Sequence, residues 1–95
     1  MSWESRLQMY NGKTVEIVIE DRAGSDPQAP PTTRSLHHVR MNEEKTHVQF
    51  YFNDIQFFAI PVFDDERTRL ESSGGETVFV SQDDMAKLNY RLRFL

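Results

Sequence analysis

From Lys13 to Asp21 apolar and polar positions alternate, with Val15, Ile17 and Ile19 on one side and Thr14, Glu16, Val18 and Glu20 on the other. β-Branched residues at period two predict a strand over residues 13–21 that buries the Val15/Ile17/Ile19 face. Upstream, Trp3, Leu7 and Tyr10 recur at helical spacing behind Ser2, a good N-cap residue, and Asn11-Gly12 follows as a helix stop. This predicts a helix over residues 2–11. Its stripe is too narrow for a free-standing helix, so it should lie against the rest of the chain.

Residues 22–34 read as a proline-rich loop. Pro27, Pro30 and Pro31 remove backbone donors, so no ladder continues through them. Residues 35–63 read as a three-stranded meander. A tight turn at Asn53-Asp54 pairs Phe52 with Ile55, Phe50 with Phe57 and Val48 with Ala59. A polar turn at Asn42–Lys45 pairs Met41 with Thr46, Val39 with Val48 and His37 with Phe50. Both hairpins place the same residues on the apolar face. Burying each Phe, Val or Ile contributes roughly 1.5–3 kcal/mol, more than any cross-strand pair, so burial should set the register. The opposite face would carry Leu36, His38, Arg40, His47, Gln49, Tyr51, Gln56, Phe58 and Ile60. That mixed surface calls for a cover, either the Trp3 helix or a partner.

Residues 68–95 form the last block. Thr68–Glu71 reads as a brief strand, Ser72–Glu76 as a flexible connection and Thr77–Val80 as a strand. Ser81 with Asp84 resembles a capping box, predicting a helical turn over 83–88. Tyr90, Leu92 and Phe94 alternate with Arg91, Arg93 and Leu95 in a terminal strand. The expected core is Val15, Ile17, Ile19, Val39, Val48, Phe50, Phe52, Ile55, Phe57, Val78, Leu92 and Phe94.

These elements describe a mainly β fold within residues 1–95, read as one domain. The expected architecture is a small SH3-like or Sm-like barrel, or a strongly bent antiparallel sheet, with an N-terminal helix and a short helical turn before the last strand. The stretch Met9-Tyr10-Asn11-Gly12-Lys13-Thr14-Val15-Glu16-Ile17 resembles the opening strand of Sm-like barrels, and Met41-Asn42 is similar to a dipeptide of that pattern. No Arg-Gly second motif follows.

Composition narrows the chemistry. The chain has 95 residues, 11 basic against 15 acidic, and no cysteine. A disulfide framework, a thiolate zinc site and a cysteine nucleophile are therefore excluded. The first residues place Glu4 where a signal peptide carries basic residues, and no apolar run approaches the ~20 residues of a membrane span. A cytoplasmic protein that does not enter the membrane is the expectation.

His38 and His47 share a strand face and are weak candidates for a metal site, two ligands where zinc needs three or four. The acidic doublets fall at turns and lack calcium-loop spacing. No Gly-x-Ser-x-Gly elbow or phosphate loop occurs, so no catalytic motif and no cofactor are expected. Function is therefore expected to be non-catalytic. The leading expectation is a protein-interaction or homo-oligomerisation module whose partner surface comprises Trp3, Leu36, Arg40, Tyr51, Phe58 and Ile60, with Asp26–Pro31 as a second docking element. Nucleic-acid binding through Arg40, Tyr51 and Phe58 is the alternative, disfavoured by the net charge of −4. A metal-dependent enzyme is the third option.

Overall fold

A computed structural model of the chain describes residues 2–23 and 31–95. Most of the proline-rich loop, including Asp26–Pro30 of the expected docking element, lies outside the described residues. The elements run α1 (Trp3–Leu7), a 3₁₀ turn (Gln8–Tyr10), β1 (Thr14–Asp21), β2 (Thr32–Ser35), β3 (His38–Met41), β4 (His47–Tyr51), β5 (Phe57–Pro61), β6 (Thr68–Ser73), β7 (Glu76–Asp83) and β8 (Leu88–Phe94). They build two antiparallel sheets, one ordered β2-β1-β8-β7-β6 and the other β3-β4-β5. None of the helices among the described residues is long and apolar enough to cross a membrane.

The chain changes sheet between neighbouring residues. Leu36 N–H donates to the Lys13 carbonyl on the β1 side, whereas His37 N–H donates to the Tyr51 carbonyl of β4. A second crossing runs through residues 62–67 between β5 and β6. Ladder pairing stops at both corners, so the expected closed barrel is replaced by two sheets. At the second corner a buried polar node holds them together. Ser81 Oγ, fully buried, donates to the Pro61 carbonyl and lies 2.9 Å from Thr68 Oγ1, which accepts from Phe63 N–H.

The core lies between the sheets. Val15, Ile17, Leu92, Phe94 and Phe79 from the larger sheet meet Val39, Val48, Phe50 and Ile60 from the smaller, joined by Leu36 and Leu7. The alternation of β1 holds, although Ile19 near its end is partly exposed. Helix α1 starts as expected, with Ser2 Oγ accepting from Ser5 N–H at 3.1 Å. It is shorter than residues 2–11 because the chain tightens into the 3₁₀ turn after Leu7. All three stripe residues pack inward. Leu7 is fully buried, Trp3 meets Phe79 edge-on at 5.2 Å, and Tyr10 stacks on Phe94 at 4.1 Å.

Four turns differ from expectation, and each difference has a definite physical cause. Ser72–Glu76 is no flexible connection. Gly74 and Gly75 both take positive φ, +59° and +83°, as a two-residue type I′ hairpin requires, and Ser73 pairs with Glu76. Residues 83–88 do not form a helical turn, because β7 and β8 pair through Asp83 and Leu88 and the ladder claims those backbone groups. The connection is a turn over residues 84–87 in which Asp83 Oδ1 accepts from Ala86 N–H and Lys87 has φ +57°. Ser81 is a buried strand residue, not a cap.

The third and fourth differences concern the meander. The β3–β4 loop is two residues longer than expected, because Asn42 Oδ1 accepts from both Thr46 N–H and His47 N–H. Val39 therefore pairs with Phe50, not Val48. A shift of two keeps every side chain on its face. The β4–β5 loop lengthens by one, and that reverses a strand. Asn53 Oδ1 accepts from Ile55 N–H and Gln56 N–H, and its Nδ2 donates to Gln56 Oε1. The loop spans Asn53–Ile55, closed by Phe52 N–H on the Gln56 carbonyl, and Phe50 pairs with Phe58. Phe58 and Ile60 turn inward while Phe57 and Ala59 turn outward. Ile55 and Phe57, expected in the core, are 84% and 45% exposed. Phe52 and Val78 are half-buried. Phe79 and Val80, on opposite faces of β7, are both buried. Val80 pairs between Arg69 and Arg91 on the neighbouring strands.

Candidate interaction surface

The reversal of β5 breaks up the expected partner surface. Leu36 and Ile60 are buried in the core, Phe58 points inward with its ring 6.0 Å from Tyr90, and Trp3 lies against Phe79. Burial pushes the Tyr90 phenol above its ordinary range, with the Asp83 charge adding to the shift. Only Arg40 and Tyr51 of the expected set remain together outside. Leu36, Phe58 and Ile60 face the chain's own second sheet and helix, whereas the β3 and β4 members of the expected mixed face stay on the outside without a cover among the described residues.

A different surface takes its place. Directly paired across β3, β4 and β5 stand His38, Tyr51 and Phe57, on the outer face of the smaller sheet. Their rings form a row, with His38 stacked on Tyr51 at 4.3 Å and Tyr51 against Phe57 at 4.9 Å. The Arg40 guanidinium lies 6.0 Å from the Tyr51 ring, and His37 meets the end of the row while its Nε2 lies 3.2 Å from Asp54 Oδ1. At the hairpin tip an open groove of about 360 Å³ is lined by Arg34, Phe52, Ile55, Gln56 and Phe57.

The metal reading loses its geometry here. His38 pairs with Tyr51, four residues along β4 from His47, which places the two about 13 Å apart by strand rise. His47 Nδ1 instead meets Thr46 Oγ1 at 2.9 Å. Among the described residues no group of three His, Cys, Asp or Glu is placed to hold a metal ion.

The most distinctive feature is an edge. Two sheets leave four edge strands among the described residues, and three of them carry charge. Arg34 sits in β2, and β3 carries Arg40 and lends its Met41 N–H to the Glu4 carboxylate of α1 at 2.8 Å. In β6, Arg69 and Glu71 form an ion pair. Such charges and covers are how natural sheets discourage further pairing. β5 reads Phe57-Phe58-Ala59-Ile60-Pro61, with no charge at all.

Its backbone groups without a partner among the described residues follow from the hydrogen-bond alternation of an antiparallel pair. Phe52 N–H donates to the Gln56 carbonyl and Val62 N–H to the Thr46 carbonyl. The even-numbered residues of β5 therefore bond to β4. The N–H and C=O of Phe57 and of Ala59 point away from the sheet. Pro61 ends the free stretch, because it has no N–H and its carbonyl is held by Ser81. The sequence reading missed this edge because it placed Phe57 inside. The absence of charge over five consecutive residues was the available signal. No family model matches this chain, and no curated protein or solved structure matches it either.

Proposed function

We propose that this chain is a non-catalytic protein-interaction module that accepts an extended segment by strand addition on β5. The observation that carries the reading is the charge-free edge Phe57–Pro61, with two N–H and two C=O groups directed outward. Strand addition takes its affinity from such main-chain groups and its selectivity from alternate side chains. Here those are Phe57 and Ala59, flanked by exposed Ile55 at the hairpin tip. The cysteine-free chain suits a cytoplasmic setting. In architecture, the pairing of β1 with β8 and the two segments that pass between sheets support a relation to SH3-like or Sm-like small barrels.

The reading is tested with a synthetic peptide copying residues 55–60, given lysines at both ends for solubility, titrated into the ¹⁵N-labelled protein at low concentration. The expected result is chemical-shift change and slowed exchange centred on the Phe57 and Ala59 amides, absent with a scrambled peptide. Shifts confined to other strands, or none, would overturn it.

A second reading rests on the ring row His38–Tyr51–Phe57. Arg34 and Arg40 each approach a ring, Phe52 at 5.8 Å and Tyr51 at 6.0 Å, and neither has a carboxylate partner among the described residues. Rings beside unpaired guanidinium groups suit a single-stranded nucleic acid. For this reading, the anisotropy of a labelled oligo-uridine should rise on titration with protein. It should rise less as salt is raised, and Tyr51→Ala should weaken it. Flat traces at low salt remove the reading.

A further inference from the structure

Resting on the strand-addition reading, we infer that the occupant of the β5 edge is a second copy of this chain, added in an antiparallel two-fold register that sets Phe57 opposite Ala59 of the second copy. The backbone selects that register. In an antiparallel ladder a hydrogen-bonded pair exchanges both of its N–H···O=C bonds. Setting Phe57 opposite Ala59 of the second copy, and by symmetry Ala59 opposite its Phe57, satisfies all four outward N–H groups and all four outward C=O groups of the two strands. That is four hydrogen bonds. Of the two neighbouring two-fold registers, one centres on Phe57 and sets Ala59 opposite Ile55, whose N–H already donates to Asn53 Oδ1; the other centres on Ala59 and sets Phe57 opposite Pro61. Proline supplies no donor, and the Pro61 carbonyl is held by Ser81. Only the central Ala59 pair is then fully bonded.

Side chains agree with the same choice. On the outer face a ring meets a methyl group twice, Phe57 across from Ala59 on each side of the axis, so large packs on small without a clash. On the inner face Phe58 meets Phe58 of the second copy at the axis, in the closer, non-hydrogen-bonded spacing that favours aromatic pairs. Continuing the register brings Ile55, 84% exposed in one copy, beside Pro61 of the other. The absence of charge is what permits a two-fold axis here. The axis brings each side chain near its own symmetry mate, and like charges so placed repel. Every other edge strand would carry at least one arginine into such a contact.

The contact involves about five residues a side, far fewer than the ~20–30 of a standard interface, so association is reversible and belongs to the weak class. In the dimer the two three-stranded sheets become one of six, with both ring rows on one continuous face.

Sedimentation velocity from about 5 to 500 µM, a span that covers weak reversible association, should show the sedimentation coefficient rising from monomer toward dimer. Ala59→Lys, which places a charge on the exposed edge, should weaken association at least tenfold and leave the circular dichroism and melting temperature unchanged. The register is read by cross-linking, for which a chain without cysteine is a clean background. A mixture of Phe57→Cys and Ala59→Cys chains should give a disulfide-linked heterodimer on mild oxidation, and Ala59→Cys alone should give little. A constant monomer coefficient to the highest concentration overturns the dimer. A dominant Ala59→Cys self-cross-link overturns the register, and an Ala59→Lys chain that still dimerises overturns the edge. The peptide titration separates the two levels. If the peptide adds to β5 while the chain stays monomeric, strand addition stands and the second copy is the wrong occupant. If neither binds, both fall.

Discussion

Replacing Phe79 by alanine is expected to remove about 3–5 kcal/mol of stability, the range for deleting a fully buried phenylalanine. Phe79 has no exposed surface and joins three parts of the molecule. Its ring lies 5.6 Å from Phe50 of the opposite sheet and 5.2 Å from Trp3 of α1. Alanine leaves a cavity at the point where both sheets and the helix meet, and its lining can collapse only by moving β-strands held by their ladders. Domains of this size have total stabilities of only about 5–15 kcal/mol, so the variant should sit near the edge of folding. Urea unfolding followed by Trp3 fluorescence measures the loss directly. The melting temperature should fall by roughly 12 °C or more at 4–8 °C per kcal/mol. A loss under about 1 kcal/mol would show that the two sheets do not depend on this contact.

Leu7→Ala should cost about 2–5 kcal/mol, more than loss of the helix cap. α1 is five residues long and has no stability of its own, so packing must hold it. Leu7 is its fully buried residue. Truncation loosens three further contacts that depend on the helix position: Trp3 on Phe79, Tyr10 on Phe94, and the Glu4 carboxylate on Met41 N–H. The last matters beyond stability, because it covers the edge of β3. Ser2→Ala is the comparison, expected to cost about 1 kcal/mol through loss of the bond to Ser5 N–H. If the two variants lose equal stability in urea, capping and not burial anchors the helix. If Leu7→Ala also gains a tendency to associate that Ala59→Lys does not suppress, the uncovered β3 edge is the second site of pairing.

How much was legible in the sequence differs from strand to strand, and the difference has a physical basis. β1 and β8 carry apolar residues on one parity, so burial leaves a single choice of face, and Val15, Ile17, Leu92 and Phe94 are inside as their pattern requires. β3 and β4 have a clear parity as well. Their loop came out two residues longer than expected, yet Val39, Val48 and Phe50 kept their face. β5 is different, because Ile55 and Phe57 on one parity offer about as much apolar surface as Phe58 and Ile60 on the other. Burial is then nearly neutral between registers, and a smaller term decides. That term is the set of hydrogen bonds that Asn53 makes to Ile55, Gln56 and the Gln56 side chain, which adds one residue to the loop. One residue is half a pleat period, so every side chain of β5 changes face.

The candidate site was lost and recovered through that same step. Arg40 and Tyr51 were placed outside correctly, while Leu36, Phe58 and Ile60 were placed outside and are turned in. Phe57 takes the position expected of Phe58, and with it comes an uncharged edge.

What the sequence by itself determined is the chain's mainly β character, the N-terminal helix and its inward stripe, and the faces of β1, β3, β4 and β8. In each of these a local pattern had one low-energy solution. Tertiary structure alone decided the splitting into two sheets at Leu36-His37 and at residues 62–67. It also decided that β7 would run on to Asp83 in place of a helical turn. In these places local preference was divided, and the outcome went to whichever long-range partner satisfied the backbone. For Asp83 that partner is Leu88 and for Leu36 it is Lys13, while the outward groups of β5 have none among the described residues.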